Sequence, residues 1–379
     1  MCRAMLSRLF SKRPGRKHPI AIVAYRGYGT ANELHLRGRV LEDKGIKIPE
    51  IDDTRRENLA NILKRFASTE VARARIRARF QETEFDTTAD NHGYFRFVLR
   101  PAMPLPADRL WHEVALEFLG PNRYPSGPVI ASAEILVPPP SAQFGVISDI
   151  DDTVIQTDAV NLLRMALIVF LGNARTRLPL KGVAAFYRAL HKGSGTTGVN
   201  PLFYVSNSPW NLYDLLSDFF HLNDIPVGPV LFLRRWGFAR RDQLPTRKRQ
   251  HKLSSAREIL ALFPDLPFIL IGDSGEKDPE IYAELVSLYP DRIQAVYIRT
   301  AGHSDKRPAQ IAALAERVQA AGSVLILADD TWPLAQHAAA QGWISPESLA
   351  ELNVELKKEA LPVNPIEQLL GEPNPKGPG

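Results

Sequence analysis

GVISDIDDTV, residues 145–154, sets an apolar run of strand length against three carboxylates, Asp149, Asp151 and Asp152, with Thr153 directly behind them. Like charges this close repel one another, and a strand end has no structural need for such a cluster, so the run calls for a counter-charge. A divalent cation supplies one. An aspartate at a strand end, followed two residues on by a second acid, also has the parts of a nucleophile and its proton carrier. An aspartate-rich helix cap or a loop calcium site is the competing structural reading of this run taken alone.

Two further apolar runs end in the same manner. Residues 201–206 read PLFYVS and lead into Ser206, Asn207, Ser208 and Pro209. Residues 267–272 read PFILIG and lead into Asp273, Ser274, Gly275, Glu276, Lys277 and Asp278. Between them lies a basic segment that includes Lys252. Acids, hydroxyl, lysine and acids therefore follow in order, three of the four at the carboxyl ends of strands, which is where open α/β sheets bind ligands. Strands are predicted over 145–149, 201–206, 229–233, 267–272, 293–298 and 323–328. Helices are predicted over 161–171, 182–191, 209–221, 253–263, 279–289, 308–321 and 333–341. That alternation implies α/β class and a doubly wound parallel sheet.

The phrases GVISDIDDTV, FYVSNSPWNLY, IPVGPVLFLR and FILIGDSGEKDPEIY, spread over residues 144–343, resemble the haloacid dehalogenase (HAD) superfamily of phosphotransferases. Within it they are similar to the catalytic domain of phosphatidate phosphatases of the actin-patch-associated type. The resemblance implies a HAD-like domain, and the short gap before Ser206 implies a minimal cap. Carried over residue by residue, it makes Asp149 the nucleophile that becomes an aspartyl-phosphate and Asp151 the general acid and base. Thr153 takes the small-hydroxyl position that braces the loop, Ser206 binds phosphate, and Asn207 assists. Lys252 is the lysine that neutralises phosphate and nucleophile, with Lys248 as the alternative. Metal ligation falls to Asp149, Asp151, Asp273 and Asp278, and the all-oxygen set implies Mg2+. The implied reaction is phosphatidate to diacylglycerol, which makes a phospholipid the substrate.

At 379 residues, with 45% hydrophobic and 23% charged content, the chain has ordinary globular composition and room for two domains. Its net charge of +5 is mild but unevenly placed. Residues 1–18 carry Arg3, Arg8, Lys12, Arg13, Arg16 and Lys17, and residues 234–252 carry eight basic side chains against Asp242 alone. Such clusters favour polyanions, here the surface of an anionic membrane reached peripherally. A solvated basic face is the bland alternative. Nucleic acid is disfavoured, because Trp236 and Phe238 are the only stacking candidates in the second cluster. Cys2 is the sole cysteine, so no intrachain disulfide forms, and a cytoplasmic location is expected. No stretch reaches transmembrane length.

Before residue 141, strands are predicted over 20–24, 33–40, 71–81, 94–99, 110–119 and 129–137, and a helix over 55–66. Short strands with turn residues between them predict a β-sandwich-like accessory domain over 19–140, following a basic leader over 1–18. Pro138, Pro139 and Pro140 form a stiff connector into a catalytic domain over 141–355, and a proline-rich tail is expected over 356–379. Residues 161–171, NLLRMALIVFL, read as a buried helix or an apolar wall beside the site, and 192–200, KGSGTTGVN, as a flexible gate. Asp329 and Asp330 read as a cap for the following helix. Two other functions remain open: the same chemistry on a soluble phosphomonoester or nucleic-acid end, and a non-catalytic membrane-binding scaffold.

Overall fold

The computed structural model describes residues 19–42, 69–106, 108–121, 128–150, 153–154, 182–195, 199–207, 210–232, 245–301 and 307–359. The chain divides into two compact units, residues 1–137 and 138–379. The predicted helices over 55–66 and 161–171, the leader, most of the second basic cluster and the tail beyond 359 lie outside the described residues.

The first unit contains β1 (Ile20–Gly29), β2 (Leu34–Glu42), β3 (Arg75–Phe80), β4 (Thr83–Thr88), β5 (Tyr94–Leu99), β6 (Trp111–Gly120) and β7 (Ile130–Leu136). They form one hydrogen-bonded sheet in the order β4-β3-β6-β7-β1-β2-β5. Two separate sheets were expected. They are joined because β1 pairs in parallel with β7 at Gly27 and Tyr28. The sheet nevertheless encloses a core as a sandwich does. β3 and β4 at one end of the order touch β5 at the other, and Leu36, Ile76, Phe95 and Leu116 share one buried cluster. β4 escaped the sequence reading because its face toward the core is only half-buried, so TEFDTT shows no apolar alternation. The arginines of β3 face solvent but are neutralised across the strands. Arg77 meets Asp86 at 2.7 Å and Glu84 at 2.6 Å, and Arg79 meets Glu84 at 2.8 Å and Glu117 at 2.7 Å.

The second unit is a wholly parallel six-stranded sheet: β8 (Gly145–Asp149), β9 (Leu202–Ser206), β10 (Val230–Phe232), β11 (Phe268–Asp273), β12 (Ile293–Arg299) and β13 (Leu325–Ala328). Its order is β10-β9-β8-β11-β12-β13, which is 3-2-1-4-5-6 when strands are counted within the unit. β8, β9 and β11 are buried at every residue, as strands covered on both faces must be. The helices are α1 (Val183–Lys192), α2 (Tyr213–Leu222), α3 (Pro245–Leu262), α4 (Asp278–Leu288), α5 (Arg307–Ala320), α6 (Trp332–Ala340) and α7 (Pro346–Glu359). Tyr187 of α1 stacks on Tyr204 of β9, while the neighbouring Phe203 packs on Phe263 just beyond α3. Adjacent strand residues point to opposite faces, so α1 and α3 cover opposite sides of the sheet.

Two boundaries differ from the sequence reading. α3 begins at Pro245, eight residues before the predicted start at 253, because proline at a first helical position is pre-organised and the basic run continues the helix. α7 was not predicted and runs across residue 355, so the expected start of the tail falls inside a helix. Arg188 of α1 holds that helix at Glu355, 2.6 Å away.

Candidate active site

In a 3-2-1-4-5-6 sheet the chain reverses its direction of winding between the first and fourth strands, here β8 and β11. The loops leaving those two strands part in opposite directions and open a crevice at their carboxyl ends. Asp149 ends β8, Asp273 ends β11, and Ser206 ends the adjacent β9. The topology therefore brings together groups that lie more than a hundred residues apart in sequence.

All three of these side chains are fully buried. Asp278, the first residue of α4, reaches back over the strand and is also fully buried. The positive end of α4 favours a carboxylate at that position. Its approach depends on Gly272, where an added Cβ would stand 2.7 Å from Asp278 Cβ and 2.8 Å from Tyr282 Cε2. Gly272→Ala is therefore expected to leave the sheet intact but displace Asp278. Divalent-ion affinity, measured by calorimetry on the pure variant, should fall at least about tenfold, since each good charge-assisted contact is worth ~1.5–3 kcal/mol. Unchanged affinity would show that Asp278 does not depend on this gap.

Asp273 is oriented by its own loop. Its Oδ1 accepts hydrogen bonds from Gly275 N at 2.6 Å and Glu276 N at 2.9 Å, while the buried Oδ2 has no hydrogen-bond partner among the described residues. One oxygen of each of Asp149, Asp273 and Asp278 lies within 4.8 Å of the others. A hard cation with oxygen ligands at about 2.0–2.6 Å spans about that width. The electrostatics ask for one. Burial, reinforced by Asp278, pushes the Asp273 carboxyl up to about 7, and burial also raises Asp278. The donor set and the partnerless oxygen both fit a divalent ion.

Lys252 sets a buried positive charge among these acids. Its Nζ lies 2.8 Å from Asp149 Oδ1, 2.6 Å from Asp278 Oδ1 and 2.8 Å from Glu276 Oε2. Burial alone would lower the ammonium pKa, but the three carboxylates outweigh it and hold the group well above the usual lysine value. Lys248 lies one helical turn earlier on the same face of α3, 3.9 Å from Glu276 Oε1, with its side chain 42% exposed. The structure thus places Lys252, not Lys248, between the aspartates.

Thr153 is buried after β8, and its Oγ1 has no hydrogen-bond partner among the described residues. Asn207 follows Ser206, and its Nδ2 donates to Glu276 Oε2 at 3.0 Å. Asp151 lies outside the described residues. The foot of the 192–200 loop is anchored rather than loose: Asn200 Nδ2 donates to Leu190 O at 2.9 Å, and Asn200 Oδ1 accepts from Gln143 N at 2.9 Å.

Two residues escaped the sequence reading. Glu276 joins Lys252 to Asn207, and although burial pushes its pKa up, Lys252 holds it below the usual carboxylate value. The signal was its place as the middle acid between Asp273 and Asp278. Arg307 braces the same loop by donating to Ser274 O and Glu276 O, both at 2.7 Å, and pairs with both oxygens of Glu280 at 2.8 and 2.9 Å. Nothing local to residue 307 announces that role. It exists only because α5 starts beside the loop.

A buried acidic cluster bridged by a lysine at the reversal point of a parallel sheet defines an α/β protein with a charged site at the carboxyl ends of its strands. Residues 144–300 match the family described as the catalytic domain of phosphatidate phosphatase APP1, and the chain resembles phosphatidate phosphatases of that type. Over 161 residues it is 35% identical to a Saccharomyces cerevisiae protein named phosphatidate phosphatase APP1, covering 42% of this chain and 26% of that protein. Over 157 residues it is 32% identical to an uncharacterized protein of Schizosaccharomyces pombe, covering 41% and 24%. The chain thus spans about a quarter of the length of these curated relatives. Among solved structures, a carbohydrate acetylesterase from Xanthomonas citri overlaps 77% of this chain and 72% of its own. The TM-score is 0.25 at 13% identity, too loose a likeness to carry any argument.

Proposed function

We propose that this chain is a divalent-metal-dependent phosphatase with a HAD-like catalytic unit and a minimal cap, working through an aspartyl-phosphate on Asp149, with phosphatidate as its substrate. The observation that carries the reading is the buried trio Asp149, Asp273 and Asp278 with Lys252 bridging two of them. The matched family supplies the substrate class. Asp149, Asp151, Asp273 and Asp278 would hold the ion, and magnesium suits an all-oxygen set. When bound, it would neutralise the charge of the phosphate and of the carboxylates around it.

The remaining work falls to the protein's own side chains. Phosphoryl transfer asks chiefly for positioning and charge compensation. An oxygen of Asp149 bonds to phosphorus as the bond from phosphorus to the alkoxide breaks, and Asp151 gives its proton to the departing alkoxide. Asp151 then takes a proton from water as that water attacks phosphorus, releasing Asp149 and inorganic phosphate. Lys252 offsets the repulsion between the Asp149 carboxylate and the incoming phosphate, and Glu276 keeps the ammonium in place. Ser206 and Asn207 hold phosphoryl oxygens, and Thr153 braces the nucleophile loop.

No described helix is long and apolar enough to cross a membrane. We propose peripheral attachment to an anionic surface through the basic residues of 1–18 and 234–252, in the cytoplasm. The deciding experiment compares turnover of dispersed phosphatidate, a soluble phosphomonoester and a 5′-phosphorylated oligonucleotide, each with magnesium and with chelator. Phosphatidate is expected to be turned over fastest, and chelator to abolish all turnover. Preference for the soluble ester would move the substrate class, and full activity in chelator would sink the metal-dependent mechanism.

A further inference from the structure

Arg299 ends β12, paired in register with Asp273 of β11, at the carboxyl end of the parallel sheet. The residue is only 8% exposed. Its Nε has no hydrogen-bond acceptor among the described residues, and Nη1 makes a long contact, 3.4 Å, to Thr331 Oγ1. Among the described residues no carboxylate lies within the 4.0 Å of an ion pair. A guanidinium offers five donors, and burying it with so few acceptors is costly. Arg307, near the same end of the sheet, is by contrast satisfied by two backbone carbonyls and a carboxylate.

The surroundings make the deficit worse. Thr331 is the N-cap of α6, but the helix start is capped by the next-door Asp330 rather than by the Thr331 hydroxyl. Gly182, with no side chain of its own, is the N-cap of α1. The two caps adjoin, since a Cβ built on Gly182 would lie 3.5 Å from Thr331 Cβ. Helix N-termini carry partial positive charge, so a buried cation beside two of them has the wrong sign unless an anion joins it. Tyr187, which faces Arg299, stays neutral because burial raises its pKa. Asp330 also acts on Arg299, but it is exposed and its Oδ1 is taken by Trp332 N at 2.9 Å, capping α6 as the sequence suggested.

We propose that Arg299 and the N-termini of α1 and α6 form a phosphate-oxyanion site on the α1 face of the sheet, one strand over from Asp273 of the aspartate cluster. The guanidinium fork and helix N–H groups together suit a tetrahedral oxyanion. Its source is either free phosphate or the phosphate of a lipid headgroup. The site stands on its own geometry and does not depend on the function proposed above.

The test is thermal unfolding of the full chain in chelator with increasing inorganic phosphate. Chelator removes the ion that would draw phosphate to the aspartate cluster, and only the part of the stabilisation that depends on Arg299 reports the proposed site. The wild-type midpoint is expected to rise saturably with phosphate. Arg299→Gln should weaken that response at least about tenfold, the size of one lost charge-assisted contact. Arg299→Lys should respond in between. In phosphate-free buffer Arg299→Gln should unfold no earlier than wild type, because it removes an uncompensated buried charge. A wild-type midpoint indifferent to phosphate, an equal response in Arg299→Gln, or early unfolding of that variant in phosphate-free buffer would each overturn the site. Arg299→Lys retains the charge but not the planar fork, so its intermediate response separates the loss of geometry from the loss of charge. Sedimentation with phosphatidylcholine vesicles, with and without phosphatidylglycerol, assigns the source. Arg299-dependent binding to the anionic vesicles identifies a headgroup phosphate, and a response to the free ion alone identifies inorganic phosphate.

Discussion

Asp149→Asn is expected to lower turnover of phosphatidate by at least about 10⁴-fold, the scale seen when a nucleophile is removed from a group of residues that act as a unit. The amide is nearly isosteric with the carboxylate, so packing at the fully buried strand end is preserved. Lys252 loses one partner but keeps Asp278 at 2.6 Å and Glu276 at 2.8 Å, so no buried charge is stranded. The folded state should therefore survive, with a melting midpoint close to wild type. Burst-phase trapping of an acid-stable phosphoenzyme should fail in the variant and succeed in the native protein. Residual turnover within tenfold of native would remove Asp149 from the nucleophile role.

Lys252→Ala is expected to act on both rate and stability, and the two effects separate. Its ammonium lies against Asp149, Asp278 and Glu276, and its removal leaves three carboxylates without their shared buried cation. Breaking such a buried arrangement costs ~3–5 kcal/mol. Activity should fall about 10²–10³-fold through the lost stabilisation of charge in a site shielded from water. Adding magnesium should restore much of the thermal midpoint, because a divalent ion replaces the missing charge, but should not restore the rate. Lys248→Ala is the control. Its side chain is 42% exposed and stands 3.9 Å from Glu276, so its loss should change the rate by less than about threefold, as exposed ion pairs are worth ~0–1 kcal/mol. The reverse ranking of the two lysines would mean that the wrong turn of α3 has been assigned.

The lysine also illustrates where reading the sequence stopped. Lys248 and Lys252 are four residues apart, so they share a helix face and either can point into the crevice. Only the distance from α3 to the ends of β8 and β11 selects the second. The arginines of β3 teach the opposite lesson. Their alternation is plain in RIRARF, but whether they form a free basic face depended on strands that pair with it, and Asp86, Glu84 and Glu117 neutralise Arg77 and Arg79. β4, which provides Asp86 and Glu84, was itself invisible, because a half-buried edge strand has little apolar contrast.

Local chemistry was legible where it is written in consecutive residues. The apolar runs of β8, β9 and β11, each ending in acids or hydroxyls, identify both a parallel α/β sheet and the end of it that carries the site. A strand buried on both faces has to be continuously apolar, and its polar residues can appear only where it emerges. The tertiary structure alone decided everything that needs a second segment. It fixed the order of the strands, the selection of Lys252, the link from Glu276 to Asn207, the bracing of the loop by Arg307 and the placing of Arg299 beside Thr331 at the start of α6. Those relations rest on distances between segments far apart in the chain, and spacing along a sequence does not encode distance across a folded crevice.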